Sequence, residues 1–542
     1  MLSRLLLYFH TVRYLKPAQI LGRLVFRLSR KAPDLRPSPA VRLLSGSWIP
    51  CARKSSMSGA NTFRFLSVTR ELSAATDWNR QDWPKLWLYN LHYFDDLNAD
   101  DAAARVAWHR ALMVRWIAEN PPASGNGWEP YPVSLRIVNW VKWALAGNEL
   151  EAGAVQSLTV QARWLSGRLE WHLLGNHLLA NAKALVFAGT FFTGPEGDAW
   201  REKGLAILRR EHAEQILDDG GHFERSPMYH AIILEDLLDL IQLAVLWSGA
   251  VDAALVAEWR HKATRMLHWL AAMMHPDGGI ALFNDAAFGI APEPAALAVY
   301  AAAMGIPEPQ DLSPVTLLAE SGYARVQQGA ALLLADVGEI GPDYLPGHAH
   351  ADTLSFELSV FGQRVVMNSG TSEYGLGAER LRQRGTEAHS TVQIDGADSS
   401  EVWSGFRVAR RARPVGLSVS EDGNAVAVTC AHDGYRRLPG RPLHRRTWRM
   451  TTYGLQVCDA IEGGFGEAVA RYHLHPAVSI SGEGGKGVLR LPDGHTMHWA
   501  VTGGSVRVVA STWHPEFGRS IASTCIELVF AGPQATMEFF WD

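Results

Sequence analysis

The chain has 542 residues, 47% of them apolar and 20% charged, with a formal net charge of −4. This is too long for one ordinary hydrophobic core and too apolar for extended disorder, so two or more globular domains are expected. Without a global positive field nucleic acid is excluded as the main partner, and a polyanionic ligand would have to be drawn in by local arginines.

Residues 2–30, which include LSRLLLYFHTVRYLKPAQ, read as one basic amphipathic helix. Arg4, His10, Arg13 and Lys16 interrupt its apolar run, and no small-residue cleavage site follows, so the segment is not read as a signal peptide. The expectation is a cytoplasmic bacterial protein rather than a periplasmic one. The helix is expected to dock on the body, with membrane-surface contact as the alternative. No stretch approaches the roughly 20 apolar residues of a membrane span, so no integral membrane segment is expected. Residues 1–84 form this helix and a lead-in segment.

From about residue 100 to 305, apolar residues recur at three and four, as in AARVAWHRALMVRWIAE and HAIILEDLLDLIQLAVLWSG. Short Gly/Asn/Pro punctuation separates these runs, which predicts a succession of antiparallel helices over 85–312, packed as a bundle, solenoid or toroid. Near PEPQDLSP (307–314) the period changes to two. DTLSFELSV places Leu354, Phe356, Leu358 and Val360 on one face and Ser355, Glu357 and Ser359 on the other. Further alternating runs split by glycines predict an antiparallel sandwich over 313–542. The fold class is thus α+β multidomain.

Four scattered cysteines, Cys51, Cys430, Cys458 and Cys525, contain no CxxC pair, so neither a thiolate zinc site nor a disulfide framework is indicated. Twenty tryptophans are many, and their flat faces suit sugar rings as well as cores.

The densest chemistry lies in PGHAHADTLSF (346–356). On a strand, His348 and His350 would point the same way, toward the buried side of a sheet end, where two imidazoles need polar partners, a metal or a task. EAHSTVQID adds His389, and a strand pair between them could bring His350, Asn368 and His389 together. Two imidazoles and an amide make an incomplete zinc set, which Asp352 or Glu373 could complete. In the helical half, GNHLLANAKALVFAG places Asn176 and His177 at one helix start. GGHFERSPMYHAIILEDL places Glu224, Tyr229 and His230 at another. WEPYPVSLRIVNW offers Trp128 and Arg136. Arg380, Arg382 and Arg384 precede His389, and Trp403, Arg407, Arg410, Arg411 and Arg413 follow it. Arginine binds carboxylate and sulfate bidentately.

In order and spacing, GNH, SPMYH, GHAHADTLSFEL, VVMNSGT and EAHSTVQIDG resemble the heparinase II/III family of polysaccharide lyases, over roughly residues 85–435. The resemblance implies an N-terminal (α/α) toroid followed by a C-terminal antiparallel β-sandwich. It implies β-elimination on a uronic-acid-containing, glycosaminoglycan-like polysaccharide such as heparin, heparan sulfate, hyaluronan or chondroitin. Asn176 would neutralise the uronate carboxylate, and Tyr229 and His348 would share the proton transfers. Trp128, Arg136, His177, Glu224, His230, Arg384 and Trp403 are the substrate-binding candidates. His350, Asn368 and His389 would hold a divalent metal (zinc, manganese or calcium), although Asn368 stands where the family has an Asp. No organic cofactor is implied. The alternatives are a lyase for alginate or a capsular uronate polymer, a non-catalytic glycan-binding protein of polysaccharide assembly, and a hydrolase. The hydrolase would need two flanking carboxylates, from Asp277 and Asp285 or from Glu224 and Glu235.

Overall fold

The structure is a computed structural model and describes residues 2–29, 32–43, 46–309 and 311–542. The expected toroid and sandwich are both present. Helices alternate between two layers. Lys85–Tyr93, Pro130–Leu145, Gly175–Phe191, Pro227–Leu246 and Pro294–Ala303 pack successively on one another as the inner layer. Val106–Glu119, Ala152–Ser166, Gly194–Gln215 and Ala253–Ala272 lie outside them. The inner helices are apolar on nearly every side, which is the pattern of a helix enclosed by others. In Gly175–Phe191 only His177 is not fully buried.

The last helix of the toroid ends at Ala303 and the first sandwich strand is Val315–Leu318. One sheet runs antiparallel through Val315–Leu318, Tyr323–Gln328, Ala331–Asp336, Phe356–Val360 and Gln363–Met367. It then continues to Ala468–Leu474, Ile521–Phe530 and Gly504–Trp513. The facing sheet has eight strands between Pro414 and Trp541. Their inner faces share a core that includes Phe356, Leu358, Trp448, Tyr472 and Phe539.

Two local expectations are corrected, at the N-terminal helix and at the histidine loop, and one strand proves to be covered on both faces. Residues 2–30 do not form one helix: Leu2–Val12 is followed by a separate helix, Pro17–Leu28. A proline pushes the residue before it out of helical space, and Lys16 is extended (φ −68°, ψ 145°), so Pro17 begins a new helix. The polar face of Phe356–Val360 is covered. Every residue of that strand is buried, because the toroid covers its other side. His275 from the toroid lies 2.7 Å from both Glu357 Oε2 and Ser359 Oγ, so the alternating polar residues form the inter-domain seam. Finally, His348 and His350 are in a loop. The strand begins only at Phe356, after Leu354 takes a left-handed backbone (φ 63°), so the two imidazoles are free to part.

Candidate active site

The site forms where two inner-helix N-termini meet the 346–355 loop of the sandwich half. Leu174 and Gly175 both have positive φ (65° and 55°), turning the chain sharply into the helix that carries Asn176 and His177. A side chain at Gly175 would stand 2.2 Å from Leu345 and 3.1 Å from Glu224 Oε1, so this position requires glycine. The next inner helix begins with Ser226 as its cap, accepting from the Tyr229 N–H at 3.3 Å, and Pro227 in the first turn. The Ser226 hydroxyl also donates to the Asp285 carbonyl (2.6 Å), and the Asp285 N–H donates to the His348 carbonyl (2.9 Å). Asp285 thereby ties the tyrosine-bearing helix to the histidine loop.

Asn176, Tyr229 and His348 converge. The Tyr229 and His348 rings stack with centroids 3.8 Å apart and planes 16° from parallel. His348 Nδ1 bonds Glu224 Oε2, while Glu224 Oε1 lies 3.5 Å from the Asn176 N–H. Burial opposes ionisation of Glu224, yet the adjoining His348 outweighs it and holds the carboxylate below its ordinary range. Glu224 holds a proton on His348 Nδ1, so in the neutral imidazole the lone pair is on Nε2. Neither that Nε2 nor the Asn176 side-chain amide has a hydrogen-bond partner among the described residues.

The Tyr229 hydroxyl is 3.0 Å from that of Tyr374. Burial, then the neighbouring Tyr374 and Asp285, push Tyr229 well above 10, so the phenol is protonated in the resting site. His177 behaves oppositely. Burial disfavours its charge, but Glu170, 3.1 Å from its Nδ1, outweighs burial and raises it above 6.5, favouring the imidazolium. The side chains of His177 and His348 remain 30% and 14% exposed, and beside them Phe406 is exposed. Access to the site is from that side.

Other candidates lie away from this surface. Trp128 is buried in the toroid, its indole N–H on the Asn120 carbonyl. Arg136 is fully enclosed, bonding Gln161 and the His92 and Gly127 carbonyls and lying 3.8 Å over Trp116. His230 stacks on Trp269 and is 2.9 Å from the Met266 carbonyl, and burial pulls it down to about 3. Arg384 holds the Ala349 carbonyl (2.9 and 3.1 Å) and so braces the histidine loop. Trp403 packs edge-on against Tyr8 of the first helix. Direct contact with a glycan is therefore open to His177 but not to Trp128, Arg136, His230 or Arg384, whose hydrogen-bonding groups are spent inside the fold. The acidic pairs of the hydrolase reading are likewise committed: Asp277 to Arg364, Asp285 to Arg380, Glu224 to His348 and Glu235 to Arg53.

The proposed metal set does not converge. His350 Nε2–H donates to Asp285 (2.7 Å), leaving Nδ1 to face His389 Nε2 at 3.3 Å. Asn368 lies against the opposite nitrogen of His389, with Oδ1 3.2 Å from Nδ1, and its buried Nδ2 lacks a partner. Asp352 accepts from the Asn284 N–H instead (3.0 Å). No group of three His, Cys, Asp or Glu suited to a metal occurs among the described residues. Turning the Asn368 amide end for end gives Nδ2 a partner in His389 and completes a chain of hydrogen bonds through His389 and His350 to Asp285. The same arrangement recurs at His432–His444–Asp459–Arg446. There the Gly434 N–H donates to His432 Nδ1 (3.2 Å) and hydrogen bonds alone suffice. Two nitrogens without a third ligand do not fit a resident divalent ion.

Tyr374 and Glu170 were not assigned site roles from the sequence, and Arg380, a candidate for anion binding, instead pairs with Asp285. Tyr374 sits in a glycine-rich loop, and Glu170 seven residues before His177 has no helical spacing to it. Only the fold brings them in.

Two family models match the chain: Heparinase II/III N-terminus over residues 101–296 and Heparinase II/III-like, C-terminal over residues 310–542. A heparin-sulfate lyase of Bacteroides stercoris is 33% identical over 113 residues, spanning 21% of this chain and 17% of that enzyme. FtsZ-localized protein C of Caulobacter vibrioides is 27% identical over 464 residues, covering 79% of this chain and 76% of the relative. The crystal structure of heparinase III superposes with a TM-score of 0.67 at 16% identity, over 97% of this chain and 85% of that one, a likeness of fold.

Proposed function

Because the chain belongs to the heparinase II/III family, we propose that it is a polysaccharide lyase cleaving a glycosaminoglycan-like uronate polymer by β-elimination. The observation that carries this reading is the convergence, at one partly open surface, of a protonated phenol with an amide side chain and an imidazole Nε2 that have no partner among the described residues.

A C5 proton beside an ionised carboxylate is weakly acidic, so the developing enolate-like charge must be stabilised. Asn176 donates to that carboxylate without competing as a base, and cationic His177 beside it adds charge. His348 Nε2 removes the C5 proton. The electron pair forms the C4–C5 double bond, the C4–O4 bond breaks, and the leaving oxygen takes the Tyr229 proton. His348 then loses its proton to solvent and Tyr229 regains one. No step runs through a metal.

The test is ultraviolet absorbance of unsaturated uronate ends on heparin, heparan sulfate, hyaluronan, chondroitin and alginate. Absence of new absorbance on every polymer overturns the reading. The same assay separates this reading from a non-catalytic role in polysaccharide assembly, for which glycan affinity without new absorbance is the expected result.

Two variants divide the roles. Asn176→Ala lowers kcat by about 10²–10³-fold while the melting temperature holds, as loss of one preorganised donor does. Glu224→Gln lowers kcat by about 10–100-fold and changes its pH profile, because the histidine loses the charged acceptor that favours its proton on Nδ1. An unchanged profile with unchanged kcat rejects Glu224 as the positioning residue.

A further inference from the structure

The two N-terminal helices dock on the body along one side, with Lys16 paired to Glu214, and leave apolar residues uncovered on the other. Thr11 meets Trp403 Nε1 at 3.0 Å. Gln19 is buried and donates to the Tyr344 carbonyl (3.1 Å), and Phe26 lies on His172 with ring centroids 4.3 Å apart. On the outer side, Leu5, Phe9, Leu21, Leu24, Val25 and Leu28 are each between 56% and 78% exposed. Leu5 and Phe9 are four apart on the first helix, and Leu21, Leu24, Val25 and Leu28 recur at three, four and seven on the second, so each set shares one helix face.

The charge beside these stripes identifies what covers them. Residues 1–31 contain seven Lys or Arg and no Asp or Glu, in a chain whose net charge is −4. Arg4, Arg13, Arg23 and Arg27 are exposed and form no ion pair among the described residues. Helices of 11 and 12 residues are too short to cross a bilayer, which takes roughly 20. An apolar stripe with unpaired arginines and no acidic group suits the boundary between acyl chains and anionic headgroups.

We propose that residues 2–29 are an interfacial anchor that lays this helix pair flat on an anionic lipid bilayer. The first helix packs on Trp403, three residues from Phe406 at the edge of the site, so the anchor holds the opening near the membrane surface.

The experiment is co-sedimentation of the full chain with phosphatidylcholine vesicles, with and without about 30% phosphatidylglycerol. Binding to the anionic vesicles, lost at about 0.5 M salt, is expected. The Phe9→Asp/Leu24→Asp double variant changes only exposed positions. It keeps the wild-type melting temperature and binds about tenfold or more weakly. Arg23→Glu/Arg27→Glu, which disturbs no packing, weakens binding by about tenfold or more as well. No sedimentation with anionic vesicles overturns the proposal, as does binding indifferent to both variants. A dimer dispersed by Phe9→Asp/Leu24→Asp without vesicle binding also overturns it, assigning the face to a second copy.

Discussion

Replacing Tyr229 with Phe lowers kcat by about 10²–10⁴-fold, the range of a positioned proton donor, with KM changed by less than about threefold. The ring stays stacked on His348, so the variant removes the hydroxyl and little else. The corresponding rise in the barrier is about 3–5 kcal/mol. Burial raises Tyr229 above 10, so the phenol itself stays protonated through the neutral range. The alkaline limb of the wild-type profile then belongs to His177, whose charge Glu170 sustains above 6.5 and which is lost as pH rises further. Turnover is followed by uronate absorbance across pH. A loss smaller than about threefold would move the proton donation to another group, Tyr374 first.

The second large effect is on stability. Asp285 and Arg380 are both fully buried and pair through two hydrogen bonds, one of them 2.7 Å. Asp285→Asn leaves the guanidinium unpaired and weakens the partner of His350, at a cost of about 3–5 kcal/mol, read as a fall in the urea midpoint. Burial opposes the Asp285 charge, but Arg380 and His350 outweigh it and hold the carboxylate far below 3.8. A depressed carboxylate stabilises the fold above its unfolded pKa and loses that contribution as pH falls through the folded one. The difference between wild type and variant is therefore constant above about pH 5 and shrinks progressively as pH falls below that. Turnover falls too, since Asp285 joins the Tyr229 helix to the His348 loop. An undiminished urea midpoint would show that the buried pair adds no net stability. Glu224→Gln serves as the contrast, losing turnover with little change in stability.

Much of the fold was legible because period is local physics. Recurrence at three and four marked the helices, and alternation marked the sandwich strands. The ordered motifs GNH, SPMYH, GHAHAD and AHST carried the family. Parity failed at His348 and His350, because side-chain alternation holds only where the backbone is extended, and Leu354 leaves that region. The arginine cluster also misled. Arg380 and Arg384 look like a charged surface in sequence, yet their partners, Asp285 and the Ala349 carbonyl, are 95 and 35 residues away. The partner of the polar face of Phe356–Val360, His275, is equally distant in sequence and lies in the other domain.

The amino-acid order alone determined the two architectures and the residue types available for elimination, because helical and strand periods and helix-start signals are set by near neighbours. Only the tertiary structure decided which groups are free to act. It locks Arg136 and His230 into the interior, sets Asn368 on the far side of His389, and leaves the Asn176 side-chain amide and His348 Nε2 without partners among the described residues. Hydrogen-bond satisfaction and desolvation depend on groups brought together across two domains, and no local pattern encodes them.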